Sequence, residues 1–308
     1  MEDLTTLMEV GAGAEAQTGF GETMVLHRLR PRPVSLRCDQ PGTRLGICVD
    51  VETTGIRSAD EVIELAALPF TYRPSDGAIL AVHEPFVRLR QPSIPIPPEI
   101  TALTGIDDAM VAAAVAAGRT LDIDELDAVF APAALILAHN ASFDRRHLER
   151  LHPKLFENKP FACTIEDAGW DEEGVESPKL AYVAALHYDF FYEKHRATAD
   201  CHAVVEILGR KPPISEGTVL AKVLESARRG RHRVRAFGTP FAEKDALRAR
   251  RYKWDPGGDG RPKNWYRDMR DAAAAEEERA FLSEGLFAPA TDVSISWLSA
   301  FDRFSSRI

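Results

Sequence analysis

Asp50 and Glu52 interrupt the apolar, β-branched run Ile47-Cys48-Val49-Asp50-Val51-Glu52-Thr53-Thr54-Gly55, which otherwise reads as a buried strand. Residues i and i+2 of a strand share a face, so both carboxylates project together at its end. Two like charges held side by side in a buried setting are costly unless a cation neutralises them. Hard divalent ions such as Mg²⁺ and Mn²⁺ favour such oxygen donors. A lone Asp-x-Glu would read as a strand end with two solvated acids. Two further acidic sites downstream make that reading insufficient.

The second site is Leu137-Ala138-His139-Asn140-Ala141-Ser142-Phe143-Asp144, a buried strand running into a loop with Asp144 in the first turn of a helix. The helix dipole alone would favour an acid there by about 0.3–1 kcal/mol. The third is His195-Arg196-Ala197-Thr198-Ala199-Asp200, which opens a helix with apolar positions at Ala197, Cys201, Val204, Val205 and Leu208. Asp200 borders that stripe and faces the sheet edge. His195 lies at or before the helix start and can reach the same cavity.

Asp-x-Glu-Thr-x-Gly, His-Asn-x-x-Phe-Asp and His-x-x-x-x-Asp, in this order, resemble the three motifs of the DEDD (DnaQ-like) exonuclease superfamily. That superfamily includes the proofreading subunit of bacterial replicative polymerases, RNase T and oligoribonuclease. The segment Ile96 to Ile106 and the strand Glu61 to Leu68 are similar to the family's connecting elements, so the likeness covers roughly residues 44–210. His195 stands five residues before Asp200, and position 196 is arginine rather than the tyrosine of the other subclass. The pattern is that of the histidine variant, DEDDh.

The resemblance implies two divalent ions, Mg²⁺ or Mn²⁺, about 3.5–4 Å apart, clamping the attacking and leaving oxygens of an in-line phosphoryl displacement. It implies that Asp50, Glu52 and Asp200 hold the metal that generates the nucleophilic water. Asp50 also bridges to the second metal, assisted by Asp144, and His195 takes the water's proton. It places Thr53 near the 3′-terminal nucleotide, and Leu103, His139, Asn140 and Phe143 around the terminal base and sugar. For Leu103 and Phe143 the alternative is ordinary core packing.

These groups must be positioned by a sheet. Residues 44–52, 61–68 and 78–89 read as consecutive strands, and a proline-punctuated loop leads to helices near 98–104, 107–117 and 122–130. A short buried strand, 134–138, precedes helices at 141–152, 179–187 and 197–209. Strands in a meander, then alternating with helices, predict an α/β fold with a mixed sheet and flanking helices. By resemblance this is an RNase H-like, five-stranded sheet. Residues 1–42 read as a loosely ordered lead-in with a short helix over 2–9. Residues 43–212 form the exonuclease domain, and Lys211-Pro212-Pro213 reads as a linker to an α+β module over 213–308.

The net charge of −9 is unevenly spread: about −11 over residues 43–212, but +9 over residues 228–270, which hold 14 basic and 5 acidic side chains. Arg231, Arg233, Arg235, Arg250, Arg251 and Lys253 interleave with Tyr252, Trp254, Trp265 and Tyr266, the composition of a single-strand binding surface. The competing reading is a small aromatic core with a solvated basic face, with Trp254 and Trp265 mostly inside. Cys38, Cys48, Cys163 and Cys201 have no metal or disulfide spacing and suit a reducing compartment. Without a signal peptide or an apolar run of membrane-spanning length, the sequence points to the cytoplasm and to no membrane partner.

The sequence thus predicts a metal-dependent 3′–5′ exonuclease acting on single-stranded ends, DNA favoured, with RNA trimming as the alternative. A non-catalytic nucleic-acid-binding protein would lack one of the five site residues, and all five are present. A polymerase-associated subunit rests only on Gln17-Thr18-Gly19-Phe20, faintly like a sliding-clamp peptide.

Overall fold

A computed structural model describes residues 24–36, 40–258, 260–284 and 292–308. The expected helix over 2–9, the clamp-like residues 17–20 and Cys38 lie outside them.

After β1 (His27–Arg28), the chain enters the long central strand β2 (Arg44–Thr53) and folds back antiparallel along β3 (Val62–Tyr72). The outer edge of β3 is then covered twice. β4 (Ile79–Val82) pairs with Phe70–Tyr72, and β5 (Phe86–Leu89) with Glu64–Ala67. The expected single run 78–89 is therefore two short strands sharing one edge position. α1 (Pro98–Thr104), α2 (Asp108–Ala116) and α3 (Ile123–Phe130) follow. β6 (Leu135–Ala138) then lies parallel to β2, α4 (Ala141–Leu151) and α5 (Pro153–Phe156) cross over, and β7 (Phe161–Cys163) lies parallel to β6. The spatial order β4/β5–β3–β2–β6–β7 gives five sheet positions filled by six strands, an RNase H-like mixed sheet.

Alternation along β2 divides the core. Ile47, Val49 and Val51 face α3, α4 and α5, where they pack with Leu126, Phe130, Leu148 and Phe156. Cys48 faces the other layer, with α7 (Leu180–Tyr188) and α8 (Ala197–Leu208). Asp50 and Glu52 share this second parity. Between β7 and α7 lies the single-turn helix α6 (Thr164–Asp167), and β8 (Phe190–Phe191) separates α7 from α8.

Residues 24–36 depart from the expected loose lead-in. β1 pairs in parallel with β8, Leu29 packs on the core, Ser35 N donates to Val82 O at 2.8 Å, and Arg32 pairs with Glu206 at 2.8 Å. The domain boundary shifts too. α9 (Val219–Arg229) follows the proline pair, but Val219, Leu220, Val223 and Leu224 insert into the large core beside α8. The linker-like composition marks a surface loop, and the small module starts at Gly230, whose φ is 67°.

That module is an antiparallel sheet of β9 (Arg231–Phe237), β10 (Lys253–Asp255), β11 (Asn264–Met269) and β12 (Asp292–Leu298), in the order β10–β11–β9–β12. The predicted helix 242–251 is a 3-10 turn at Phe241–Glu243 followed by α10 (Lys244–Ala249), and α11 (Ala272–Glu284) covers the sheet. Its core is Val234, Ala236, Leu247, Tyr252, Trp265, Ala275 and Leu282. After β12 the chain returns to the large domain. Phe161 N of edge strand β7 donates to Ala300 O at 2.8 Å. Arg145, fully buried, donates to the carbonyls of Phe301 and Arg303 at 2.6 and 2.8 Å while paired with Glu149 at 2.7 Å.

Candidate active site

Four carboxylates converge at the carboxyl end of β2. Asp50 and Glu52 project from the strand, and the ladder to β3 slips between Glu52 and Thr53, a bulge that ends regular pairing just past the acids. Beyond it the chain folds back tightly: Thr53 Oγ1 donates to Gly55 O at 2.5 Å, and a Cβ at Gly55 would stand 2.5 Å from Asp60 Oδ2. Any larger residue at position 55 would push the Asp60 carboxylate aside. Asp200 enters from the first turn of α8, and one oxygen each from Asp50, Glu52 and Asp200 lie within 4.8 Å of one another. Asp144, 3% exposed in the first turn of α4, completes the group by accepting a hydrogen bond from Val51 N at 3.2 Å.

α8 is held in place by contacts the motifs do not reveal. Glu64 on β3, 1% exposed, accepts from Ala197 N at 3.0 Å and from Arg196 Nη2 at 3.1 Å. It satisfies one of the unpaired amides at the helix start and ties it to the sheet. Tyr192 Oη donates to Asp200 Oδ1 at 3.0 Å, and His195 N donates to Oδ2 at 2.9 Å. Both oxygens of Asp200 are thus oriented. His195 is exposed and adopts a left-handed backbone with φ of 62°, a conformation unusual for a residue with a side chain.

The electrostatics follow from burial. Desolvation, then repulsion from Asp144, Asp200 and Glu52, holds the Asp50 carboxyl well above the usual carboxylate range. Glu52 is raised to about 8 by burial and by Asp200, Glu64 and Asp144. Burial pushes Asp144 up to about 7, against the Val51 N–H that favours its ionised form. Asp200 is also raised, by burial, with Tyr192 and His195 opposing. Four acids that resist ionisation together form a donor set lacking positive charge, and all-oxygen donors at this spacing fit hard divalent cations.

The expected substrate positions separate. Thr53 is buried beside the acids, Asn140 is exposed at the N-cap of α4, and Leu103 is 51% exposed on α1. Phe143 is half-buried, its ring tilted against His147 at 4.8 Å between centroids and covered by the Arg146 guanidinium at 4.9 Å. His139 points elsewhere. Its Nδ1 lies 2.6 Å from Thr164 Oγ1 and its ring lines an interior pocket with Leu180, Val183 and Val204. Burial lowers its pKa to about 4, as for a neutral packing histidine. The contacts of His139 are thus with Thr164 and this interior pocket rather than with the acids.

Each of the six cations expected at a nucleic-acid surface has a partner within the chain. Arg231 pairs with Asp167 and Arg233 bidentately with Asp268, and both are buried. Arg235 donates to Ser296 Oγ, Arg250 to Glu278 and Lys253 to Glu166. Arg251 lies 3.6 Å from Asp171, with both side chains exposed. Trp265 is 8% exposed, as a core residue should be, but Trp254 is 49% exposed. The motif spacing missed Glu64, Tyr192 and Arg196. Glu64 alone left a trace, as an acid in the apolar run Val62–Leu68.

Residues 47–208 match the RNase T family of exonucleases. A PolC-type DNA polymerase III of Caldanaerobacter subterraneus subsp. tengcongensis is 33% identical over 170 residues, 52% of this chain but 11% of that protein. A DNA polymerase III subunit epsilon-like protein of Rhodobacter capsulatus is 38% identical over 106 residues, covering 34% of this chain and 14% of its own length. The chain therefore spans only a small part of these relatives. Among solved structures, E. coli ExoI in a zinc-bound complex with ssDNA aligns at 17% identity with a TM-score of 0.46, covering 77% of this chain and 67% of that one. Exonuclease X bound to 5′ overhanging duplex DNA aligns at 24% identity with a TM-score of 0.38, covering 52% and 86%. With the family matched across more than half its length, and across all four converging acids, the chain belongs to the RNase T, DnaQ-like family of exonucleases.

Proposed function

We propose that the chain is a divalent-metal-dependent 3′–5′ exonuclease of the DEDDh type, releasing nucleoside 5′-monophosphates from single-stranded ends, with DNA favoured over RNA. The observation that carries this reading is the convergence of Asp50, Glu52, Asp144 and Asp200, all with raised pKa values. Two bound Mg²⁺ or Mn²⁺ ions would supply charge neutralisation for an in-line phosphoryl displacement and lower the pKa of a water.

Asp50, Glu52 and Asp200 hold the donor oxygens, and Asp144 adds a fourth carboxylate fixed by Val51 N–H. Tyr192 and the His195 amide keep Asp200 from turning away. The His195 imidazole, exposed on its left-handed loop next to Asp200, takes the proton of the attacking water. Backbone strain held at such a place fits a catalytic role. Thr53 and the exposed Leu103 and Asn140 line the approach of the terminal nucleotide. The DNA preference draws on the two relatives named as DNA polymerase proteins. Cys48, Cys163 and Cys201 are buried and unpaired, which fits a cytoplasmic protein. No helix among the described residues is long and apolar enough to cross a membrane.

The test is digestion of matched 5′-labelled single-stranded DNA and RNA by the unaltered chain and by Asp50→Ala, with Mg²⁺, Mn²⁺ or EDTA. A metal-dependent ladder shortening from the 3′ end, absent in the variant, is expected, and faster on DNA. Absence of any ladder, with strands still bound, would replace this reading by a binding module.

A further inference from the structure

Asp200 is oriented through both of its oxygens. Tyr192 Oη donates to Oδ1 at 3.0 Å and the His195 amide to Oδ2 at 2.9 Å. Among the described residues, no other member of the Asp50–Glu52–Asp200 trio has a donor on each oxygen. An ionised carboxylate has about four lone-pair sites, so each Asp200 oxygen keeps at most one for a cation.

The two partners of this hydrogen bond are held from different parts of the chain. The backbone of Asp200 is fixed by α8, whose first turn Glu64 ties to β3. Tyr192 directly follows β8, and β8 is pinned by β1. His27 N donates to Asp189 O at 2.9 Å and Leu29 N to Phe191 O at 2.8 Å. The Tyr192 ring packs on the large core, 6.4 Å from Phe190 between centroids. Burial, then the charges of Asp200 and Asp50, hold the phenol above its ordinary range, so it stays a donor.

A carboxylate locked in this way suits a cation that takes single oxygens at octahedral angles. It suits less well one that gathers about 6–8 oxygens and accepts both from one carboxylate. Mg²⁺ and Mn²⁺ are of the first kind, Ca²⁺ of the second.

We propose that Tyr192 is a positioning residue that sets cation choice, holding Asp200 Oδ1 so that the site selects Mg²⁺ and Mn²⁺ over Ca²⁺. The inference rests on the metal-dependent reading above and deepens it by naming what enforces the selection. Without the phenol, Asp200 turns about its Cβ–Cγ bond and offers both oxygens to one ion.

The experiment titrates the full 308-residue chain and its Tyr192→Phe variant with Mn²⁺, Mg²⁺ and Ca²⁺, without nucleic acid, by calorimetry and thermal shift. Phe keeps the ring and its packing. Mn²⁺ and Mg²⁺ should bind about tenfold more weakly to the variant, as for other groups that orient a metal ligand. Ca²⁺ should bind as well as before or better, so the Mn²⁺-to-Ca²⁺ affinity ratio falls about tenfold. Tyr188→Phe, which removes a buried hydroxyl with no hydrogen-bond partner, should leave that ratio unchanged. Strand digestion by Tyr192→Phe should be slow at limiting Mg²⁺ and recover at saturating Mn²⁺. Uniform weakening of all three cations would make the hydroxyl merely structural and overturn the proposal, as would an unchanged ratio. A shifted ratio in a chain that never shortens strands would sink the exonuclease reading and leave the role of Tyr192 standing. An unshifted ratio with normal digestion would do the reverse, and an unaltered chain that binds none of the three cations would overturn both.

Discussion

Glu64 stands directly across the β2–β3 ladder from Glu52 and at the same time accepts the Ala197 amide at the start of α8. One buried carboxylate thereby links the strand that carries two of the acids to the helix that carries a third. Removing it should loosen Asp200 without touching any ligand.

Glu64→Ala should cost about 1–2 kcal/mol, the loss of a helix cap, because the Arg196 partner is 39% exposed and its ion pair adds little. Nuclease rate should fall about tenfold through misplacement of Asp200. Glu64→Gln keeps an acceptor for the amide and should recover most of both. Urea unfolding and strand digestion measure the two effects, and a Gln variant as poor as Ala would argue for a direct role of the charge.

Asp50→Asn should abolish turnover, about a thousandfold or more, yet stabilise the metal-free chain. Asp50 is buried among Asp144, Asp200 and Glu52, and deleting its charge relieves that repulsion. A rise of a few degrees in melting temperature is expected in EDTA near pH 8. A lower melting temperature would mean that the acids are already compensated.

The pH dependence has a definite sign. Glu52 and Asp144, raised to about 8 and about 7, keep protons in the folded state that the unfolded chain has already released. Their contribution to metal-free stability is present below the ordinary carboxylate range and is lost as pH climbs through 7 to 8. Divalent ions need the ionised carboxylates, so stabilisation by Mg²⁺ or Mn²⁺ should grow across the same window. Thermal melts with and without metal would show it; a metal effect of equal size at pH about 5 and about 9 would contradict it.

His195→Gln should separate chemistry from metal holding. The side chain is outside the Asp50–Glu52–Asp200 ligand group, while its backbone amide serves Asp200. Digestion should fall at least a hundredfold. Stabilisation by Mn²⁺ should stay, and its loss would make the imidazole a ligand rather than a base.

Arg145→Met should destabilise the chain by about 3–5 kcal/mol, since it strands buried Glu149 and frees the carbonyls of Phe301 and Arg303. Urea unfolding tests this, and a loss below about 1 kcal/mol would show that Ser305 and Arg307 suffice for Glu149.

Sequence patterning exposed the long elements and the acids because these depend on local period and residue type. β2, β3, β6, α4 and α8 begin and end within a few residues of where alternation, apolar stripes and punctuation put them. What it missed depends on contacts between distant segments. β7 is three residues long, too short for a period, and is recognisable only by its pairing with β6. The proline pair before α9 has the composition of a linker, but the apolar stripe behind it is what joins α9 to the large core. Arginine spacing over 228–270 could not disclose that Asp268, Glu278 and Asp167 lay opposite. His139 shares a motif with Asp144 but turns to Thr164, a choice made by the packing of α7 and α8.

The return of residues 299–308 to β7 gives the small module two attachments, one through Gly230 and one through the Ala300 and Arg303 carbonyls. A module hung on one hinge could swing and vary the gap beside it. Pinned at two points, it behaves as an insertion braced against its host. A single proteolytic nick at Gly230 would therefore leave the two parts associated.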